Sequence, residues 1–195
     1  MDTIDYYNKN AKKYYDRTKE INLEDTWNKF ISYLPERAEI LDVGCGSGRD
    51  SRYFVEQGFD VTALDASKEL CKLASIHIGQ EVLHLKISEL NFKEVFDGVW
   101  ACDSLVHNTL SELEETMKRI INCMKPHGIL YMSFKYGDFC GERNDRYYID
   151  FNTRKMKDFL LKYHGISLVE IWKNSDVRAG READLWLNVL VKKIR

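Results

Sequence analysis

"ILDVGCGSGRDS" (residues 40–51) sets Gly44, Gly46 and Gly48 in alternate positions directly behind an apolar run. A bare turn needs one glycine, so three point to a strand that bends into a helix with a ligand lying against the bend. Glycine at 44 permits a positive φ, and the missing Cβ atoms at 46 and 48 leave room for close approach to the backbone. In an open α/β sheet such a bend lies at the carboxyl ends of the strands, where ligands bind. The spacing is not the G-x-G-x-x-G of a dinucleotide site, because residue 49 is Arg49, and "SGRDS" lacks the Gly-Lys-Ser/Thr ending of a phosphate loop. Asp42 repels a pyrophosphate here and suits a ligand carrying an ammonium or sulfonium charge.

Outward from this loop, "AEILDVG", "DVTALD", "EVLHLKI", "FDGVWAC" and "GILYMSF" are short apolar runs, separated by helix-length stretches at 49–57, 67–77 and 109–124. Strands buried on both faces and joined by crossover helices define a doubly wound α/β fold with a parallel sheet. Ahead of the first strand, apolar residues at helical spacing (Tyr7, Ala11, Tyr14, Tyr15, then Trp27, Phe30, Ile31, Leu34) predict two helices. Behind the last crossover, a helix around 153–163 precedes "ISLVEIWK" and "ADLWLNVLVKK", which are expected to form an antiparallel pair at the end of the sheet. Pro35 and Pro126 mark helix exits.

A chain of 195 residues, 44% hydrophobic and 31% charged, suffices for one domain with its own core and leaves no room for a second catalytic one. No apolar run nears the roughly 18 residues of a membrane span. The start, "MDTIDYYNKNAKKYY", lacks the apolar core of a secretory signal, so a cytoplasmic location is expected. With 29 basic and 31 acidic side chains, no strong field for nucleic acid exists. The five cysteines are scattered without a C-x-x-C pair and read as reduced thiols, with no metal site expected.

Asp65 closes the second strand, 17 residues past Gly48. A carboxylate there can accept two hydrogen bonds from ribose hydroxyls, and the same residue can cap the helix that follows. In order and spacing, "ILDVGCGSGRD", "VTALDAS", "FDGVWACDSLVH" and "MKPHGILYMSFKYG" resemble the class I methyltransferases that use S-adenosylmethionine, in particular the small tellurite-resistance and ubiquinone-biosynthesis types. The resemblance is strong over residues 38–135 and loose elsewhere. It implies a seven-stranded, mostly parallel sheet with an antiparallel last strand, in a single domain with a helical lid over 1–37 and a core over 38–195.

By the same resemblance Asp42 lies beneath the methionine part of the cofactor, and Gly44, Cys45, Gly46 and Gly48 line it. Asp65 holds the ribose, Ala66 and Ser67 flank the adenine, Ile87, Ser88 and Glu89 border its other face, and Ala101 and Cys102 offer carbonyls to its amino group. Lys86 stands where the family often has an acid, a departure at the adenine. "YYNKNAKKYYDRT" is similar to the family's lid helix; Tyr7 and Tyr14 then face the sulfonium, or else pack in the core.

Methyl transfer from a sulfonium needs positioning, exclusion of water and, for a protic acceptor, a base. His107 is the candidate base, with packing or helix capping as its other reading; Asp103, Lys135 and Asn108 are further candidates. Lys135, Arg146, Tyr147, Arg178 and Arg181 are the candidate substrate residues. The arginines of the two late loops suit an anionic small-molecule acceptor or are solvated charges paired with Glu142, Asp145, Asp176 and Glu182. Three rival readings stay open: an RNA methyltransferase, a cofactor-binding subunit without catalysis, and a nicotinamide oxidoreductase.

Overall fold

A computed structural model describes residues 3–143, 146–178 and 180–195. Two helices come first, Thr3–Thr18 (α1) and Glu24–Ile31 (α2), followed by Glu39–Val43 (β1), Arg49–Glu56 (α3), Asp60–Asp65 (β2), Lys68–Ile78 (α4) and Leu83–His84 (β3). Phe96–Ala101 (β4), Leu110–Cys123 (α5) and Met124–Lys135 (β5) complete the parallel part. Then come Cys140–Arg143 (β6), Arg146–Ile149 (β7), Thr153–Leu160 (α6), Ile166–Ser175 (β8) and Leu185–Lys193 (β9). The main sheet has seven strands in the order β3-β2-β1-β4-β5-β9-β8, with β9 antiparallel to both neighbours. The order reverses between β1 and β4, and the glycine loop follows β1 at that switch point.

Residues that alternate along each inner strand feed two cores. Leu41, Val99, Leu130 and Val189 pack on one face with α5 residues Leu113 and Met117. Ile40, Trp100, Tyr131 and Leu190 pack on the other with Trp27 and Phe30 of α2 and Phe54 of α3. Trp100 stacks on Tyr131 with ring centroids 3.9 Å apart. Its indole N–H donates to Asp50 Oδ2 at 2.9 Å, while Trp27 Nε1–H and Arg49 Nε–H donate to Asp50 Oδ1 at 2.9 and 2.6 Å. A buried carboxylate is thereby satisfied by one cation and two indoles.

The expected crossovers are all present, and local chemistry starts them. Ser67 Oγ accepts the Leu70 amide at the start of α4. Thr109 and Glu112 form a reciprocal capping box at α5. Two features, the third parallel run and the late insert, differ from or go beyond the sequence reading. The run over 81–87 pairs only through Leu83 and His84, because as an edge strand it gains a ladder on one side alone. The antiparallel pair ends the sheet as expected, with β9 between β5 and β8: Leu187, Val189, Leu190 and Val191 are fully buried, whereas β8 is largely solvated, so the apolar strand takes the inside. The late insert forms its own hairpin, β6–β7, which stands over the sheet's carboxyl edge.

Candidate active site

The glycine loop adopts three left-handed residues, with φ of 72° at Gly44, 58° at Gly46 and 76° at Gly48. The amides of Gly44 and Cys45 both donate to the Leu64 carbonyl at 2.9 Å, which folds the loop over the end of β2. A Cβ on Gly44 would lie 2.6 Å from Ser104 Cβ, and one on Gly46 would lie 3.0 Å from the Tyr14 ring. A Cβ on Gly48 would instead meet Ile78 Cγ1 at 2.8 Å. Two glycines therefore serve the approach of loop and lid, and the third lets α3 pack on α4.

Asp65 is only 9% exposed and accepts the Gly46 amide on Oδ2 at 2.9 Å and the Ser67 amide on Oδ1 at 2.7 Å. Burial raises its pKa, against the lowering by these amides. Each oxygen keeps a lone pair for a further donor. Beside it opens a cavity of about 500 Å³, a size usual for small-ligand sites. Gly44, Gly46, Asp65, Ala66 and Ser67 form one wall; Ile87, Ser88 and Lys86 form another. Tyr7 and Tyr14 of α1 and His107 close the third.

Not every expected residue reaches this cavity. Asp42 is buried below it and accepts the Ser51 hydroxyl at 2.5 Å, with its pKa pushed up by burial and by the neighbouring Asp50. Cys45 packs with Ala63, Cys71 and Ala74, and Ala101 is fully buried in the core. Glu89 is exposed and accepts the Lys86 amide at 2.9 Å. Cys102 faces a second, smaller chamber.

His107 follows β4 in a short 3₁₀ turn, Leu105–His107. Its Nδ1 lies 2.8 Å from the Tyr147 carbonyl, an acceptor only, so Nδ1 carries the proton and Nε2 the lone pair. Tyr7 O–H donates to that lone pair at 2.9 Å, and Arg146 Nη1 donates to the Tyr7 oxygen at 3.0 Å. Burial lowers the His107 pKa to about 4, so the ring is neutral at pH 7. The Arg146 guanidinium also lies over the Tyr6 ring, 4.3 Å from its centroid. A second lid residue, Asn8, accepts the Ser67 hydroxyl at 2.8 Å and the Glu69 amide at 3.2 Å. Thus α1 is clamped over the cavity by the hairpin at one point and by the α4 N-terminus at another. Tyr7 and Tyr14 were legible as a helix face, while Asn8 carried no signal of its own.

The expected substrate residues divide. Arg178 forms an ion pair with Asp176, its Nε donating at 2.8 Å, and Arg181 Nε donates to Asp184 at 2.7 Å. Lys135 Nζ is 4.0 Å from Asp184. Tyr147 turns its hydroxyl to Cys140 Sγ at 2.9 Å, and only its carbonyl reaches His107. Asp145, expected among these pairs, lies outside the described residues. Arg178, with Tyr14, Asp103, Ser133 and Asn188, lines the second chamber, of about 90 Å³, which adjoins the main cavity.

A family model described as a methyltransferase domain matches residues 41–132. With the sheet order and the loop, this match supports reading the chain as a class I methyltransferase domain of the S-adenosylmethionine-dependent kind. YqeM of Bacillus subtilis is 36% identical over 129 residues, which cover 58% of this chain and 51% of YqeM. The ubiquinone biosynthesis O-methyltransferase of Rickettsia felis is 31% identical over 124 residues, covering 60% of this chain and 50% of that protein. The chain thus spans about half the length of these curated relatives. Among solved structures, the 1,6-didemethyltoxoflavin-N1-methyltransferase of Burkholderia thailandensis superposes with a TM-score of 0.78 at 23% identity, over 98% of this chain and 85% of that one.

The residues present fit S-adenosylmethionine, the cofactor of this class. Ser104 Oγ is buried beside Gly44 and has no hydrogen-bond partner among the described residues, so it is free to meet a ligand's donor or acceptor. Asp65 offers lone pairs to hydroxyls, and the Asp65 and Asp103 carboxylates on the cavity wall favour a cation. Among the described residues, no helix is long and apolar enough to cross a membrane.

Proposed function

We propose that the protein transfers the methyl group of S-adenosylmethionine to a small-molecule acceptor. The observation that carries this reading is the Asp65 carboxylate, held by the amides of Gly46 and Ser67 at the floor of a cavity large enough for a nucleoside. In this reading Asp65 accepts the ribose hydroxyls. Ala66 and Ser67 flank the adenine on one side and Ile87 and Ser88 on the other. Ser104 and the bare backbone at Gly44 and Gly46 meet the amino-acid end. Tyr7 and Tyr14 exclude water beneath α1, while α2 belongs to the core.

The cofactor, when bound, supplies a methyl carbon on a sulfonium, so the carbon–sulfur pair leaves on sulfur as the acceptor's lone pair bonds to carbon. The chain's own work is orientation and exclusion of solvent. His107 holds the lid through Tyr7, and its Nε2 is open to a proton only once that contact is released. The relatives' names support a small-molecule acceptor: one acts in ubiquinone biosynthesis, and the Burkholderia structure holds 1,6-didemethyltoxoflavin with S-adenosylhomocysteine. An anionic acceptor draws little support, since Arg178 and Arg181 already have carboxylate partners. A cytoplasmic location accords with this reading.

Calorimetry with S-adenosylhomocysteine and with NADH tests it. Micromolar binding of the first and none of the second is expected; the reverse sinks the proposal. Transfer of labelled methyl groups across a pool of metabolites, with bulk tRNA as a separate acceptor, then separates a small-molecule enzyme from an RNA enzyme and from a subunit without catalysis.

A further inference from the structure

The second chamber contains a charged group that accepts no hydrogen bond among the described residues. Asp103 follows β4 with a left-handed φ of 55°, a conformation costly for a residue with a Cβ. Its amide donates to Ser133 Oγ at 2.9 Å, which fixes the backbone, yet its carboxylate accepts no hydrogen bond among the described residues. The side chain lines both the main cavity and the second chamber, as does Tyr14, whose hydroxyl also has no partner among the described residues. Asp103 and Tyr14 therefore stand at the junction where a cofactor's reactive end and an acceptor would meet.

The charges around Asp103 can be counted element by element. Tyr7 and Tyr14 face it from α1, Arg49 from α3, Cys102 from β4, Lys135 from β5, Tyr148 from β7, and Asp176 and Arg178 from the β8–β9 connection. Arg49 is hydrogen-bonded to Asp50 and Arg178 to Asp176, so each guanidinium has its own carboxylate. Lys135 approaches Asp184. Arg181 also holds Asp184, so Lys135 is left to balance Asp103 at a distance and the charges sum to neutral; what the Asp103 carboxylate lacks, among the described residues, is a hydrogen-bond donor in a half-closed space. A cation or a proton donor completes it; a second anion does not.

We propose that Asp103 binds the amine head of the methyl acceptor in this chamber and takes its proton. The inference rests on the methyl-transfer reading above. A chamber of about 90 Å³ is smaller than the ~150 Å³ cavity that holds benzene, so it admits a primary or secondary amine head rather than an aromatic ring system. One N–H proton leaves the acceptor for each methyl gained and passes to an Asp103 carboxylate oxygen, which becomes a neutral acid and returns the proton to solvent. Burial raises the Asp103 pKa to about 6, so the group is ionised at pH 7.5 and a stronger base than an ordinary carboxylate for the proton released as the methyl group bonds.

The test uses the protein saturated with S-adenosylhomocysteine and titrated with propylammonium, 1-propanol and propionate at pH 7.5. Propylammonium is expected to bind at least tenfold more tightly than propionate, to lose at least fivefold in Asp103→Asn, and to weaken as pH falls through about 6. Equal binding of the two ions, a preference for propionate, or wild-type propylammonium affinity unchanged between pH 7.5 and 5 overturns the inference, and none of these depends on the variant folding. Failure of S-adenosylhomocysteine to bind the wild type counts against the methyl-transfer reading instead.

Discussion

Tyr7 and His107, 100 residues apart, share a hydrogen bond of 2.9 Å that ties the first helix to the turn after the fourth strand. The tautomer is dictated by the Tyr147 carbonyl on the far side of the ring, so the contact requires a neutral imidazole.

Acid should therefore loosen this closure. Burial holds the His107 pKa at about 4, below the ordinary 6.5, so the neutral ring's contribution is fully present above pH 6.5 and is lost as pH falls toward 4. A loss of about 1–3 kcal/mol in unfolding free energy between pH 7 and 4 is expected from this group. Urea titrations at both pH values check it: His107→Gln should lose less on acidification than the wild type.

Asp65→Ala removes the acceptor of two backbone amides together with the lone pairs that face the cavity. Affinity for S-adenosylhomocysteine should fall by about 1.5–3 kcal/mol by calorimetry. Unchanged affinity removes Asp65 from the ribose role.

Gly46→Ala and Gly48→Ala should separate two uses of one loop. The first drives a methyl group toward the Tyr14 ring and should weaken cofactor binding; the second drives it into Ile78 and should lower the melting temperature more than the affinity. Each also carries a cost of roughly 1–2 kcal/mol for a side chain at positive φ. Thermal unfolding with and without S-adenosylhomocysteine distinguishes the two.

Asp50→Ala strips Trp27, Trp100 and Arg49 of their shared acceptor and leaves a buried guanidinium unpaired. A cost of about 3–5 kcal/mol is expected from denaturant unfolding. A loss under 1 kcal/mol would show that the hub is dispensable.

The fold class, the loop after β1 and the aspartate after β2 were legible from residues 38–135, because each is written in local chemistry: apolar runs of strand length, glycines where φ turns positive, a carboxylate at a strand end. The clamp on α1 was not, since Arg146 and Tyr7 lie 139 positions apart and meet only because the late hairpin folds back over the sheet. Nor did spacing distinguish Gly48, which packs against α4, from Gly44 and Gly46, which line the cavity. The arginines of the last loops read in one dimension as an anion site or as paired charges; in three, Asp176 and Asp184 pair two of them, and the Asp103 carboxylate accepts no hydrogen bond among the described residues. Periodicity and turn preference act over a few residues and so survive in the sequence, whereas the pairing of charges and the order of strands depend on which distant segments share a sheet edge, and only the folded chain decides that.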